Sequence, residues 1–334
     1  MAKFVVRRLL LLVPILFGLS VVLFVWLRAL PGGPAAALLG ERATPEAVAR
    51  IQELYGLNEP WYVQYWKFLT RAVVLDFGNS TRTNRPVIDE MLRVFPATIE
   101  LALAALIFAI GLGIPLGYLA ARKYGRSLDN LTVAGSLIGV AIPVFFLAYI
   151  LKYVFAVRLG WLPPSGRQDP RMSAEHPTGF YVLDGLITGN WAAMWDAIAH
   201  LILPAIALGS IPLAIIVRIT RASVLDVVHE DYVRTAEAKG LWQRTITRRH
   251  VLRNALLPVV TVIGLQAGLL FSGAVLTETV FAFDGVGHYV YQAITVRDYA
   301  VLQGFILVIA AGYVLINLAV DVSYGLIDPR VRVR

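Results

Sequence analysis

Long apolar runs dominate the chain. Six stretches, at about 9–30, 97–121, 131–157, 198–219, 256–281 and 302–324, are each long enough and poor enough in charge to cross a bilayer. They lack the polar residue at every second place that a strand would show, and the need to pair every backbone group in hydrocarbon makes them helices. The stretch between the first two spans, about 31–96, is too long for a bare linker. Within it, Thr44 followed by Pro45 and Glu46 reads as an N-cap and first turn, with Gly56 as the stop. Trp61, Tyr62, Tyr65, Trp66, Phe68 and Leu69 then form an aromatic helix, suited to a membrane interface or to docking a partner. The stretch at about 158–197 carries Trp161-Leu162-Pro163-Pro164 and reads as a second, partly ordered cap. The expected fold is an all-α polytopic membrane protein with six transmembrane helices and helical outer loops. It divides into an N-terminal anchor helix (1–30), an external loop subdomain (31–96), a five-helix core (97–324) containing an inner loop at 220–255, and a tail (325–334).

Composition agrees with the pattern. Of the 334 residues, 58% are apolar and 16% charged, far from the balance of a soluble domain. The absence of cysteine excludes disulfides, thiolate metal sites and cysteine nucleophiles. The net charge of +8 is topological and calls for no nucleic-acid partner. Basic residues gather at the N-terminus (Lys3, Arg7, Arg8), after the second span (Arg122, Lys123, Arg126), after the fourth (Arg221 to Arg253) and in the tail (Arg330, Arg332, Arg334). Both termini and the even-numbered loops are therefore expected in the cytoplasm. The first span exceeds a signal-peptide core, although Ala35-Ala36-Ala37 offers a cleavage region, and reads as an uncleaved anchor.

Pro14, Pro115, Pro143, Pro204, Pro212 and Pro258 lie in or at the mouths of spans, where each removes a backbone donor. Gly113 with Gly117, Gly135 with Gly139, and Gly264 with Gly268 place small residues four apart, as close helix packing allows. The loop after the fourth span holds the sharpest local signal. Glu230 and Asp231 stand where acids favour a helix start, Lys239 where a cation favours its end, and Gly240 where a left-handed stop belongs. A short helix over about 230–239 is expected, followed by a basic helix with Arg244, Arg248, Arg249 and Arg253. Either the short helix meets a partner, or the loop is solvated and its cations meet anionic lipid.

Catalytic motifs are missing. None of the five lysines, at 3, 67, 123, 152 and 239, follows a glycine, so the chain carries no P-loop. His229-Glu230 lacks the second histidine of a zinc-protease helix, because position 233 is Val. Among polar groups near the spans, Glu278 either touches substrate or gates the outer mouth, or else lies at the interface. Asp321 and Asn317, four apart, suit binding to a neighbouring helix; Lys152 and Arg218 suit snorkelling, and His200 a structural place. A stand-alone transporter coupling protons through Glu278 or Asp321 would need inverted repeats, and none is evident. An intramembrane enzyme would need a convergent acid–base set, and the candidates fall on separate spans.

The segment from Val224 to Gly240 resembles the cytoplasmic signature loop of binding-protein-dependent ABC importer permeases. That family carries Glu-Ala-Ala, three residues, Gly and a downstream Leu-Pro. Here Arg234-Thr235-Ala236 stands for the first part, while Gly240 and Leu257-Pro258 match the rest. The departure at Arg234-Thr235 and the long interval to Pro258 resemble the peptide/nickel branch. So do Leu30-Pro31-Gly32-Gly33-Pro34, the run from Tyr55 to Pro60, Gln64-Tyr65, Asp76-Phe77-Gly78-Asn79-Ser80, Glu278-Thr279-Val280-Phe281, Gly285-Val286-Gly287, Arg297-Asp298-Tyr299 and Asp328-Pro329-Arg330. Asp284 stands where that branch has proline.

The resemblance implies a type I ABC importer permease fold in the bacterial cytoplasmic (inner) membrane. It implies dipeptide- or oligopeptide-like substrates, with nickel chelates or glutathione-like solutes as alternatives. The implied partners are a second homologous permease, two ATPase subunits, an external solute-binding protein and membrane lipid. No cofactor belongs to the chain itself; ATP and Mg would sit on the ATPases. The short helix would be the coupling helix, with Glu230, Asp231, Arg234, Thr235, Ala236, Lys239 and Gly240 as its contact set and Glu278 as the one candidate for the substrate path.

Overall fold

The apolar run that contains Pro204 and Pro212 forms the centre of the molecule, because it is flanked by small residues that let neighbours close in. In the computed structural model, which describes residues 2–29, 35, 39, 44–54, 56–272 and 274–327, this run is helix α8 (Trp191–Val228). Two thirds of its apolar window (67%) is enclosed, against 28% for α4 (Val87–Arg122), its main neighbour. The two approach closely where α4 has no side chains: a Cβ on Gly113 would stand 2.7 Å from Ile216, and one on Gly117 would stand 2.6 Å from the Val217 carbonyl. Lipid offers no hydrophobic drive between spans, so this dispersion contact holds the pair. Gly264 and Gly268 do the same for α11 (Arg253–Ser272) against Val320 and Tyr313 of α14 (Tyr299–Ile327). Gly135 and Gly139 do not mark such a contact.

The expected third span is two helices. α5 (Ser127–Ala141) stops before Pro143, and α6 (Val144–Leu151) leaves at 103°, continuing in π-helical form over Lys152–Arg158. Ile142 takes the extended conformation imposed on a residue before proline. Pro14, Pro115, Pro204, Pro212 and Pro258 all sit inside helices that continue through them. The expected fifth span, 256–281, is also cut short. α11 ends at Ser272, and Val275–Val280 forms a separate helix, α12, followed by α13 (Val286–Thr295).

Among the described residues, four helices are long and apolar enough to cross a membrane singly, and the bent pair passes the same test of length and composition when its two helices are taken together. α1 (Ala2–Ala29) adds the apolar stretch Leu10–Trp26. It packs along α14 and against α3 (Trp61–Val73), where Tyr65 meets Phe17 and Phe24 edge-on and its hydroxyl lies 2.8 Å from the Ser20 hydroxyl. α2 (Pro45–Leu54) begins as expected, with the Thr44 hydroxyl accepting from the Ala47 N–H, and Gly56 takes the left-handed turn after it. The turn 30–34, the Ala36-Ala37 part of the cleavage region, the tail from residue 328 and the side chain of Asp321 lie outside the described residues.

Candidate functional site

At the arginine-rich end of the bundle, the chain leaves α8 and makes a short helix, α9 (Asp231–Ala238), within one residue of the span expected. Its start is set by Glu230, in an extended conformation whose carbonyl accepts from the Val233 N–H, and by Asp231 in the first turn. Its end is a Schellman turn. Gly240 at φ +70° lets its own N–H reach the Glu237 carbonyl (2.9 Å) while the Leu241 N–H reaches the Ala236 carbonyl (3.3 Å).

Two faces of α9 differ. Val233 and Ala236 are buried, packed with Ala121 of α4, Val224 of α8, and Ile246, Val251 and Ala255 of the following segment. That segment comprises α10 (Gln243–Thr245), a π-helical turn Ile246–Leu252, and the start of α11. Glu230, Asp231, Arg234, Thr235, Lys239 and Gly240 are exposed. Arg234 and Asp231 stand 3.7 Å apart on this open face, and the Thr235 hydroxyl donates to the Asp231 carbonyl. The structure thus brings together six of the seven anticipated residues on one surface. It turns Ala236 inward, where its small side chain seats the helix on its own bundle.

Two residues of this surface escaped the sequence reading. Trp242 is 83% exposed, two residues after the glycine stop, and Tyr232 is exposed with its hydroxyl accepting from Asn254 Nδ2 at 3.0 Å. An apolar Leu241-Trp242 pair directly after a helix-ending glycine, in an otherwise polar loop, was the available signal. Behind the site, Arg221 of α8 grips Asp129 of α5 through two bonds, and the Gly125 N–H donates to the same carboxylate. The bent span is thereby tied to the helix that carries α9.

The opposite end is built from buried carboxylates. Glu278 of α12 is fully enclosed, accepting from the Thr98 hydroxyl of α4 (2.6 Å) and from the His288 N–H of α13 (2.9 Å). The Thr98 oxygen in turn accepts from the Val286 N–H. Both Glu278 oxygens are used, so the side chain faces packed protein and joins three helices. Asp298 caps α14 and accepts from the Ser80 hydroxyl and the Thr81 N–H. Glu100 accepts from Arg167 (2.9 Å) and the Val182 N–H (2.8 Å). Lys152 donates to the Val280 carbonyl, and Asp284, in the place of the family's proline, pairs with Arg93. Asn317 stands beside Gly268 of α11, as expected for a residue facing a neighbouring helix. Among the described residues no three histidines or carboxylates gather as metal ligands.

Comparison with known proteins places this geometry. Residues 113–333 match the family described as the binding-protein-dependent transport system inner membrane component, and residues 1–102 match the N-terminal region of the same kind of component. The dipeptide transport system permease protein DppB of Alkalihalophilus pseudofirmus is 48% identical, with 99% of this chain and 100% of the relative aligned. DppB of Escherichia coli is 43% identical over 99% of each chain. The glutathione transport system permease protein GsiC of Escherichia coli is 37% identical over 99% of each. Among solved structures, a chain of the inward-facing MetNI methionine ABC transporter has a TM-score of 0.52 at 17% identity, covering 72% of this chain and 97% of that one; the likeness is one of fold.

Proposed function

The chain belongs to the family of binding-protein-dependent transport system inner membrane components, and from that premise we propose that it forms half of the translocation pathway of an ATP-driven importer of dipeptides and short peptides. It is a multi-pass permease subunit and not an enzyme; the ATPase is a separate chain. The peptide substrate is supported by the dipeptide permeases that align along its whole length at 43 to 48% identity. The glutathione permease, at 37%, stands further off.

One observation carries the mechanism: α9 is anchored by Val233 and Ala236 while six charged, polar or glycine positions of its surface point away from the bundle. In the proposed assembly this surface seats in a cytoplasmic ATPase that binds ATP and Mg²⁺, two such ATPases serving this chain and a second, related permease. Both termini lie in the cytoplasm of a bacterial inner membrane, and an external binding protein delivers substrate to the end built around Glu278. Closure of the ATPase pair on ATP draws the two coupling helices together and opens the cavity outward; hydrolysis returns it. The energy for each change is the ATPases' differential affinity for the two arrangements. Glu278 takes the role of a joint between α4, α12 and α13 and not that of a substrate contact.

The test is uptake by proteoliposomes holding both permeases and both ATPases, supplied with binding protein. Dipeptide uptake requiring ATP, and competed by other dipeptides far more than by glutathione or a nickel chelate, is the expected result. Uptake by this chain alone under a proton gradient would overturn the proposal in favour of a secondary transporter.

A further inference from the structure

A cavity of about 680 Å³ opens at the end of the bundle opposite α9, between the last turn of α1, α3, the loop 76–81 and the first turn of α14. Its walls carry four cations: Arg28, Lys67, Arg71 and Arg297. Two are matched by carboxylates, since Lys67 pairs with Glu59 at the rim and Arg71 with Asp76 in the wall. Among the described residues, Arg28 and Arg297 meet no carboxylate.

Arg28 is half-buried and held in place. Its guanidinium lies 3.4 Å over the Phe24 ring, and its Nε and Nη2 donate to Gln64 Oε1 at 3.0 Å. Gln64 is fixed in turn by donating to the Leu57 and Glu59 carbonyls. A guanidinium has five N–H groups, and one neutral amide oxygen with a 3.5 Å contact to the Phe24 carbonyl leaves donors unused. Arg297 is exposed at the rim, its backbone at φ +56° between α13 and α14. An immobilised cation and a second cation lining one cavity suit an anion.

Its depth in the membrane selects the anion. Arg28 follows the apolar stretch of α1, which ends at Trp26, and Tyr299 opens the apolar span of α14. The cavity therefore lies where hydrocarbon gives way to headgroups. Exposed Trp61, Tyr62 and Trp66 of α3 are at the same end, as aromatic residues are at that boundary. The outward faces of Val22, Val25 and Trp26 below it offer a surface for acyl chains. We propose that this cavity binds the phosphate of an anionic phospholipid headgroup, Arg28 and Arg297 taking the phosphate oxygens and the chains lying along α1. The site concerns the lipid-facing edge and stands whether or not peptides are the cargo.

The experiment is native mass spectrometry of the full chain in detergent, titrated with phosphatidylglycerol, phosphatidylcholine, diacylglycerol or inorganic phosphate. One phosphatidylglycerol should be retained in preference to phosphatidylcholine, with diacylglycerol and inorganic phosphate both weak. Arg28→Gln and Arg297→Asn should each weaken retention by roughly tenfold, the loss of one charge-assisted contact. Asn tolerates the left-handed backbone, so the second variant leaves the fold intact. Arg249→Gln at the other end should change nothing. Wild-type retention in both variants, no preference for the anionic lipid, or inorganic phosphate binding as tightly as the lipid would each overturn the proposal.

Discussion

The two ends of the bundle are assembled on different principles. At one end, Glu278, Asp298 and Glu100 are buried and every one accepts from a backbone N–H of another element or from the start of its own helix. Such networks fix positions, because a displaced partner leaves a charge unpaired away from water. At the other end, α9 is held chiefly by Val233, Ala236 and a ring of small or aliphatic neighbours, with one hydrogen bond from Asn254 to Tyr232, and its charged groups turn outward. Apolar contact is non-directional and tolerates sliding, whereas a hydrogen-bonded carboxylate does not. The first arrangement preserves a shape; the second leaves an exposed polar face on an apolar seat.

The contrast is broken most decisively at Glu278. Glu278→Ala strands the Thr98 hydroxyl and the His288 N–H in the interior, and should cost about 3 kcal/mol. Thermal unfolding of the purified protein would read this as a large loss of stability, with binding of the ATPases to the surviving fraction unchanged. Ala236→Leu should come next, at about 1–3 kcal/mol for overpacking. Here transport should fall further than stability, because α9 would be lifted from its seat; parallel uptake and melting measurements separate the two. Gly240→Val places a β-branched residue at φ +70°, costing about 1–2 kcal/mol locally, and should loosen the end of α9 with a severalfold loss of ATPase stimulation. Arg234→Ala sharpens the comparison from the other side. Its pair with Asp231 is open to solvent, so the melting temperature should not move, while affinity for the ATPase drops severalfold in a pull-down titration.

The smallest effect concerns pH. His176, in the cap before α7 (Tyr181–Ile187), stacks on Tyr181 with ring centroids 3.6 Å apart. Burial holds its pKa below the ordinary 6.5, outweighing the pull of Asp184 towards the charged form. The unfolded chain then binds the proton more readily, so stability is complete above about pH 6.5 and declines as pH falls through the unfolded value. His176→Phe, which keeps the stacking, should flatten that slope in melting curves between pH 7.5 and 5.5.

Local signals were legible wherever neighbouring residues decide the outcome. Glu230, Asp231 and Gly240 mark both ends of α9 without any tertiary information, whereas Pro143 was one of six alike prolines of which it alone sits at a sharp break. Long-range packing was not legible. Gly273 follows Ser272 in the sequence and offered a break, yet it did not announce the docking of α12 and α13 against α4 through Thr98, some 180 residues away. The same distance concealed the role of Glu278: an acid near a span reads as a functional group until its partner comes into view. Ala236 was correctly placed on α9, but one eight-residue helix does not reveal which face its neighbours will cover.

The central claim is that the exposed face of α9 is the surface a cytoplasmic ATPase grips. The chain has no cysteine, so Thr235→Cys introduces a single thiol on that face. Labelling with a membrane-impermeant maleimide, in cells and in inside-out vesicles, measures both its side and its cover. The account predicts no labelling from outside the cell and strong labelling in vesicles stripped of ATPase, suppressed when the ATPases are restored. Labelling from outside, or labelling that restored ATPases leave unchanged, would contradict it.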